Sequence, residues 1–96
     1  MPQNYLISPE LEKLIKKYKK KDPRTTTALQ KKMNEIINSE EEMIEHYKNL
    51  RAPINQYKRV HINKSFILIF SFNKKSKTIT FHDISHHDDA YNKKLF

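Results

Sequence analysis

The sequence predicts an α+β domain in the order β-α-α-β-β-β, an antiparallel sheet backed by an N-terminal helical hairpin. Three observations carry this prediction. Two cap-and-proline pairs, Ser8-Pro9 and Asp22-Pro23, each open a segment whose apolar residues recur at helical spacing. After Tyr57 the pattern changes to runs of β-branched and aromatic residues. The links between those runs are short, polar and led by Asn, as hairpin connections are.

Taken in order, Tyr5, Leu6 and Ile7 form a short first strand. Ser8 is an N-cap and Pro9 the first helical residue. Leu11, Leu14, Ile15 and Tyr18 then recur at i, i+3, i+4 and i+7, with Lys13, Lys16, Lys17 and Lys20 on the opposite, solvated face. Asp22 and Pro23 repeat the signal for a second helix, whose Leu29, Met33, Ile36 and Ile37 share one face. Ser39 and Glu42 match a capping box for a short third turn of helix. The stretch from His46 to Gln56 carries Pro53 and no period, and reads mainly as loop. Strands are expected over Tyr57 to Ile62, Phe66 to Phe72 and Thr78 to Ser85, forming a meander. Phe66 to Phe70 is apolar on both alternating sets, which suits a central strand covered on both faces, although the helices can cover only one. In the strand before it, Val60 and Ile62 share one face and Tyr57, Arg59 and His61 the other. One basic face of a helix-backed sheet follows.

A chain of 96 residues holds a single domain, residues 1–96. There is no Cys, which excludes disulfides, thiolate catalysis and cysteine-ligated zinc. There is no Gly either, which excludes glycine-rich phosphate loops and dinucleotide fingerprints and leaves left-handed turn positions to Asn, Asp, Lys or Ser. No cofactor is expected. Met1 to Ser8 does not read as a signal segment, and the longest apolar run, Phe66 to Phe70, is too short to span a bilayer, so a cytoplasmic location without a membrane partner is expected. Lys and Arg number 19 against 11 Asp and Glu, a formal charge of +8. That balance favours a polyanionic partner, nucleic acid or acidic protein, though it is also what keeps a small domain soluble.

His61, His82, His86 and His87 lie in or just after the strand region, with His46 upstream. Metal-independent cleavage of RNA needs a base for the 2′-OH proton, an acid for the departing 5′ oxygen, and cations around the phosphorane. His61, His87, Arg59 and nearby lysines are the right types, although exposed histidines of no function are equally at home in such a chain. His82-Asp83 and His86-His87-Asp88-Asp89 could be read as metal ligands, but their spacing fits no metal motif and no metal site is expected. Tyr91 suits either stacking on a base or packing on the sheet edge. Phe66, Phe70 and Phe72 read as core. Lys19-Lys20-Lys21 complements a helix C-terminus and is also compatible with contact to ribosomal RNA.

The segment Gln56-Tyr57-Lys58-Arg59-Val60-His61-Ile62-Asn63-Lys64-Ser65-Phe66-Ile67-Leu68-Ile69-Phe70 resembles the signature of RelE/ParE toxins, in particular their YafQ-like branch: an aromatic-basic start, a His, a short turn, and an aromatic leading an apolar strand. His86-His87-Asp88-Asp89-Ala90-Tyr91 resembles the family's C-terminal motif, a His followed four residues later by an aromatic. The motifs stand in the family's order, and the helix-helix-meander layout extends the likeness over nearly the whole chain. The resemblance implies a RelE-like fold and a metal-independent endoribonuclease, an mRNA interferase. Such an enzyme enters the ribosomal A site against ribosomal RNA, cuts the exposed mRNA codon, and is neutralised by a co-encoded acidic antitoxin. By position it implies that His61 and His87 are the acid–base pair and Tyr91 the C-terminal aromatic, with Lys48, Lys58, Arg59 and His86 as RNA contacts. The family's further upstream histidine falls near Lys48, two residues after His46. At Ser65 the YafQ-like pattern carries an acidic residue. Two alternatives stand beside this reading: a ParE-like toxin that inhibits DNA gyrase without cutting, which generally lacks the histidine pair, and a degenerate, non-toxic family member retained to bind antitoxin, which the Ser65 departure keeps open.

Overall fold

The computed structural model describes residues 3–50 and 56–86. Seven elements follow in order: β1 (Asn4–Ile7), α1 (Pro9–Lys21), α2 (Pro23–Ile37), α3 (Glu41–Glu45), β2 (Lys58–His61), β3 (Phe66–Asn73) and β4 (Thr78–His86). Both helix starts are built as the sequence implies. The Ser8 hydroxyl oxygen accepts from the Leu11 amide at 3.1 Å, with Pro9 in the first turn. Asp22 ends α1 by donating its amide to the Tyr18 carbonyl at 2.6 Å, and begins α2 by accepting from the Thr25 hydroxyl at 2.6 Å and the Thr25 amide at 3.2 Å. Those two Thr25 bonds, the hydroxyl first, hold the Asp22 carboxyl below the usual carboxylate range.

The third helix differs from expectation in how it starts. Its cap residue is Glu40, with no side-chain cap bond, and the Ser39 hydroxyl instead donates back to the Glu35 carbonyl at 2.6 Å. The last turn of α2 has thus taken the hydroxyl that a capping box would need.

The sheet has the order β1-β4-β3-β2. β2, β3 and β4 form the antiparallel meander. β1 joins β4 in parallel, from Asn4 opposite Thr78 to Ile7 opposite Phe81, a pairing that nothing in the strand pattern announces. Between β3 and β4 the Asn73 side-chain oxygen accepts from the amides of Lys75 and Ser76, and Lys77 adopts φ 54°. In a chain without glycine, a lysine takes the left-handed position.

All three helices lie on one face of the sheet, where Leu11, Leu29, Met33, Ile36 and Ile44 pack on Phe66, Leu68, Phe70, Ile79, Phe81 and Ile84. Val60 and Ile62 join this layer, as their alternation predicts. The second apolar set of β3, Ile67 and Ile69, faces away from the helices and is covered by Leu50 and Tyr57. Leu50 reaches them because its segment pairs with β2: Asn49 bridges Lys58, the Leu50 amide donates to the Tyr57 carbonyl at 2.8 Å, and the Arg59 amide donates to the Lys48 carbonyl at 2.9 Å. The region expected to be loop therefore contributes a short extra edge to the sheet. Among the described residues, no helix is long and apolar enough to cross a membrane.

Leu68 is fully buried at the centre of the helix-side core. Leu68→Asp is expected to unfold the domain, because an unpaired buried charge costs several kcal/mol, a large part of the roughly 5–15 kcal/mol of total stability. Thermal melting checks this, and an unchanged midpoint would show the strand order to be wrong.

Candidate nucleic-acid interface

The face of the sheet away from the helices is assembled by register. Arg59 lies opposite Ile69, and Ile69 opposite Asp83; His61 lies opposite Ile67, and Ile67 opposite Ser85. Residues directly opposite share a face, so these two rows run across the sheet on its open side. The bridge between Asn49 and Lys58 places Lys48 opposite Arg59, which extends the first row by another cation. Lys48, Arg59 and His61 thus share one open face.

Their environments differ. His61 is exposed at the end of β2. Arg59 is half-buried, its Nε is buried without a hydrogen-bond partner, and no ion pair neutralises it among the described residues. Lys58 points to the helix side, where its Nζ donates to the Asn49 side-chain oxygen at 2.8 Å and to the Glu45 and Tyr47 carbonyls at 3.2 Å each. These three acceptors match the three donors of an ammonium. Lys58 is a clamp on the end of α3, and its partial burial lowers its pKa.

β4 carries a bulge. Ile69 is opposite Asp83 but the next residue, Phe70, is opposite Phe81, so His82 is an extra residue in β4. His82 and Asp83 consequently both turn to the open face, while Phe81 before them and Ile84 after them both enter the helix-side core. The His82 ring stands edge-on to Tyr57, centroids 4.8 Å apart, and its Nε2 is 2.8 Å from the Ser71 hydroxyl. Burial lowers its pKa, with the Asp83 charge opposing. Asp83 is buried and its carboxylate accepts from the Ile84 amide at 2.8 Å. The sequence alone assigns His82 no role. Its signal was present in the spacing Ile79-x-Phe81-x-x-Ile84, in which an alternating strand skips a beat.

The remaining candidates fall elsewhere. His86 pairs with Phe66 and so lies on the helix side, its ring 4.4 Å from that of Phe66. Ser65 is exposed in the β2–β3 turn, where the Asn63 side-chain oxygen accepts its amide at 2.9 Å and the Phe66 amide at 3.0 Å. Asn63 also donates to the Thr25 hydroxyl at 3.3 Å, which ties the turn beside His61 to the start of α2. His46 is the C-cap of α3. His87 and Tyr91 lie outside the described residues, as do Asp88 and Asp89. Among the described residues no three His, Asp or Glu side chains gather to hold a metal.

A depressed pKa makes protonation of His82 unfavourable in the folded state. Its contribution to stability is therefore present above the ordinary imidazole pKa of 6.5 and is lost as pH falls through the lower folded value. An NMR titration should find the His82 ring changing charge below pH 6.5, and His82→Gln should soften the loss of stability on acidification. A midpoint at that value would mean the ring is solvated, and one above it that the ring is paired with Asp83.

No family model matches the chain. A protein of Methanocaldococcus jannaschii that carries a toxin name, RelE4, is 47% identical over 88 residues, covering 92% of this chain and 89% of the relative. Among solved structures, YafQ from Escherichia coli superposes with a TM-score of 0.72 at 19% identity, over 93% of this chain and 98% of that one. The RelBE2 toxin–antitoxin complex from Mycobacterium tuberculosis gives 0.70 at 14% identity, over 91% and 100%. The structural likenesses establish the fold, and the near-complete alignment at almost half identity establishes the kinship: this chain belongs to the RelE family of toxin–antitoxin toxins.

Proposed function

We propose that the protein is a ribosome-dependent mRNA interferase, cutting the mRNA strand in the ribosomal A site without a metal and held in check by an acidic antitoxin. The observation that carries this reading is Arg59, a cation with no ion pair among the described residues, set between Lys48 and His61 on the open face. A guanidinium so placed is suited to a phosphate and to the charge that builds on it in the transition state.

In the proposed reaction one histidine takes the proton of the 2′-OH, which attacks the adjacent phosphorus. The other histidine gives a proton to the departing 5′ oxygen. His61 and His87 fill these roles, Arg59 and Lys48 hold the phosphate, and Tyr91 orients a base; for His87 and Tyr91 the support is the motif alone. The bond from phosphorus to the 5′ oxygen breaks, leaving a 2′,3′-cyclic phosphate and a 5′-hydroxyl, with protons balanced and no external water or metal needed. Lys58, with its donors committed, and His86, packed on Phe66, are better suited to holding the fold than to contacting RNA.

His61→Ala and His87→Ala are each expected to lower cleavage by about 10²–10⁴-fold. For His61→Ala the melting midpoint should barely move, since exposed substitutions usually change stability by within about 0.5 kcal/mol. Cleavage should persist in EDTA and yield the cyclic phosphate. A strict need for Mg²⁺ or Mn²⁺, or full activity of the double variant, would remove the histidine mechanism; inhibition of DNA gyrase without RNA cleavage would favour the ParE-like alternative.

The antitoxin proposal draws on the family, on the description of RelBE2 as a toxin–antitoxin complex, and on the +8 charge. The product of the adjacent gene should be short and acidic, and should bind with an affinity that weakens as salt rises. Titration calorimetry at low and high ionic strength checks this, and no association even at low salt would refute it.

A further inference from the structure

We propose that the cleft formed by Tyr57 and His82, edged by Gln56, Ser71, Asn73 and Lys75, is a second subsite for single-stranded RNA, taking a nucleotide that flanks the one cut. The inference rests on the reading of the open face as the RNA-cutting face. It adds a place along that face and a set of residues to which the cleavage chemistry assigns no part.

The cleft is continuous with the first site. His61 is opposite Ile67, and from Ile67 to Ser71 β3 advances four residues, about 13 Å. A strand of RNA lying on Lys48, Arg59 and His61 and running along β3 meets the cleft next. The lining has the chemistry of a nucleotide site rather than of a packed interior. Tyr57 and His82 give two ring surfaces at right angles, the arrangement in which a third flat group can stack on one ring and abut the other. Ser71 fixes His82 through Nε2, so the ring is oriented in advance and, among the described residues, Nδ1 is left for a ligand. Asn73 uses its side-chain oxygen on the turn amides, which leaves its NH₂ group as a donor at the rim.

The two lysines of the hairpin divide their work. Lys74 is bound to Glu45 at 2.6 Å, whereas Lys75 lines the same cleft with no ion pair among the described residues. Lys75 is the group for a phosphate. His82, kept neutral by burial, is suited to a base edge or ring instead. The bulge supports the same conclusion. Adding a residue to β4 interrupts its ladder, and the residue added is the imidazole that walls the cleft.

The test uses the full chain carrying His61→Ala, with labelled 2′-O-methyl oligoribonucleotides that cannot be cleaved, a tetranucleotide and an octanucleotide of mixed sequence. Fluorescence anisotropy should show the octanucleotide binding about tenfold more tightly than the tetranucleotide, the gain expected from one stacked base. Adding His82→Gln, or separately Lys75→Ala, should remove most of that gain and leave tetranucleotide affinity unchanged. Lys75 is exposed in the hairpin, so its variant carries the test even if His82→Gln proves unstable on melting. A length gain that survives both substitutions would overturn the subsite while leaving the RNA reading of the face intact. Failure of both oligonucleotides to bind would overturn the subsite and the RNA reading of the face together.

Discussion

A strand alternates its side chains strictly, so β4 can send Ile79, Phe81 and Ile84 into one core only by taking in an extra residue, and it does so at His82. Such an insertion leaves backbone groups without their ladder partners. Here the Ser8 hydroxyl donates to the His82 carbonyl at 2.7 Å, while the Ser8 amide donates to the Phe81 carbonyl at 2.9 Å. The same Ser8 oxygen accepts the Leu11 amide that starts α1. One serine thus joins the end of β1, the start of the first helix and the irregularity in β4. A shift of one residue in this junction would turn Ile84 out of the core and Asp83 into it, a change that total stability could not absorb.

A second set of contacts decides where charge is available. Nine of the 19 Lys and Arg lie on α1 and α2. Close to the sheet, the cations divide into committed and uncommitted ones. Lys58 holds the end of α3, Lys74 binds Glu45, and Lys77 binds Glu41, so three hairpin and strand lysines fasten β2 and the β3–β4 turn to the third helix. Exposed ion pairs of this kind contribute little stability one at a time. Their larger effect is to withdraw positive charge from one side of the molecule, leaving Lys48, Arg59 and Lys75 as the cations of the open face without ion pairs among the described residues. Net charge could announce a polyanion partner but not this division.

Much of the scaffold was legible because its signals are local. The caps at Ser8 and Asp22, the strand limits, the two faces of β2 and the use of a lysine in place of glycine all follow from neighbours within a few residues. The partner of β1 was not legible, since a parallel pairing between residues 4–7 and 78–81 leaves no mark in either segment. At Ser39 a local signal pointed the wrong way, because two helix ends competed for one hydroxyl. In the site, placing Arg59 and His61 together needed only the period of two. Lys58 and His86 looked equally basic and equally available, and only the register and the third helix show one bound to carbonyl oxygens and the other against Phe66.

The open face stays open because of how little covers it. Ile67 and Ile69 require shielding from water, and a helix laid across them would have met the need while burying Arg59 and His61 as well. The chain instead uses Leu50 on a short extended segment, paired to β2 and backed by the ring of Tyr57. Because that segment is itself a strand edge, its pleat turns Lys48 to the same side as Leu50, two residues away. The residue that completes the second core is therefore coupled by geometry to the one that adds charge beside Arg59. Because both positions follow from the Asn49–Lys58 bridge, the apolar cover and the cationic row cannot vary independently of each other.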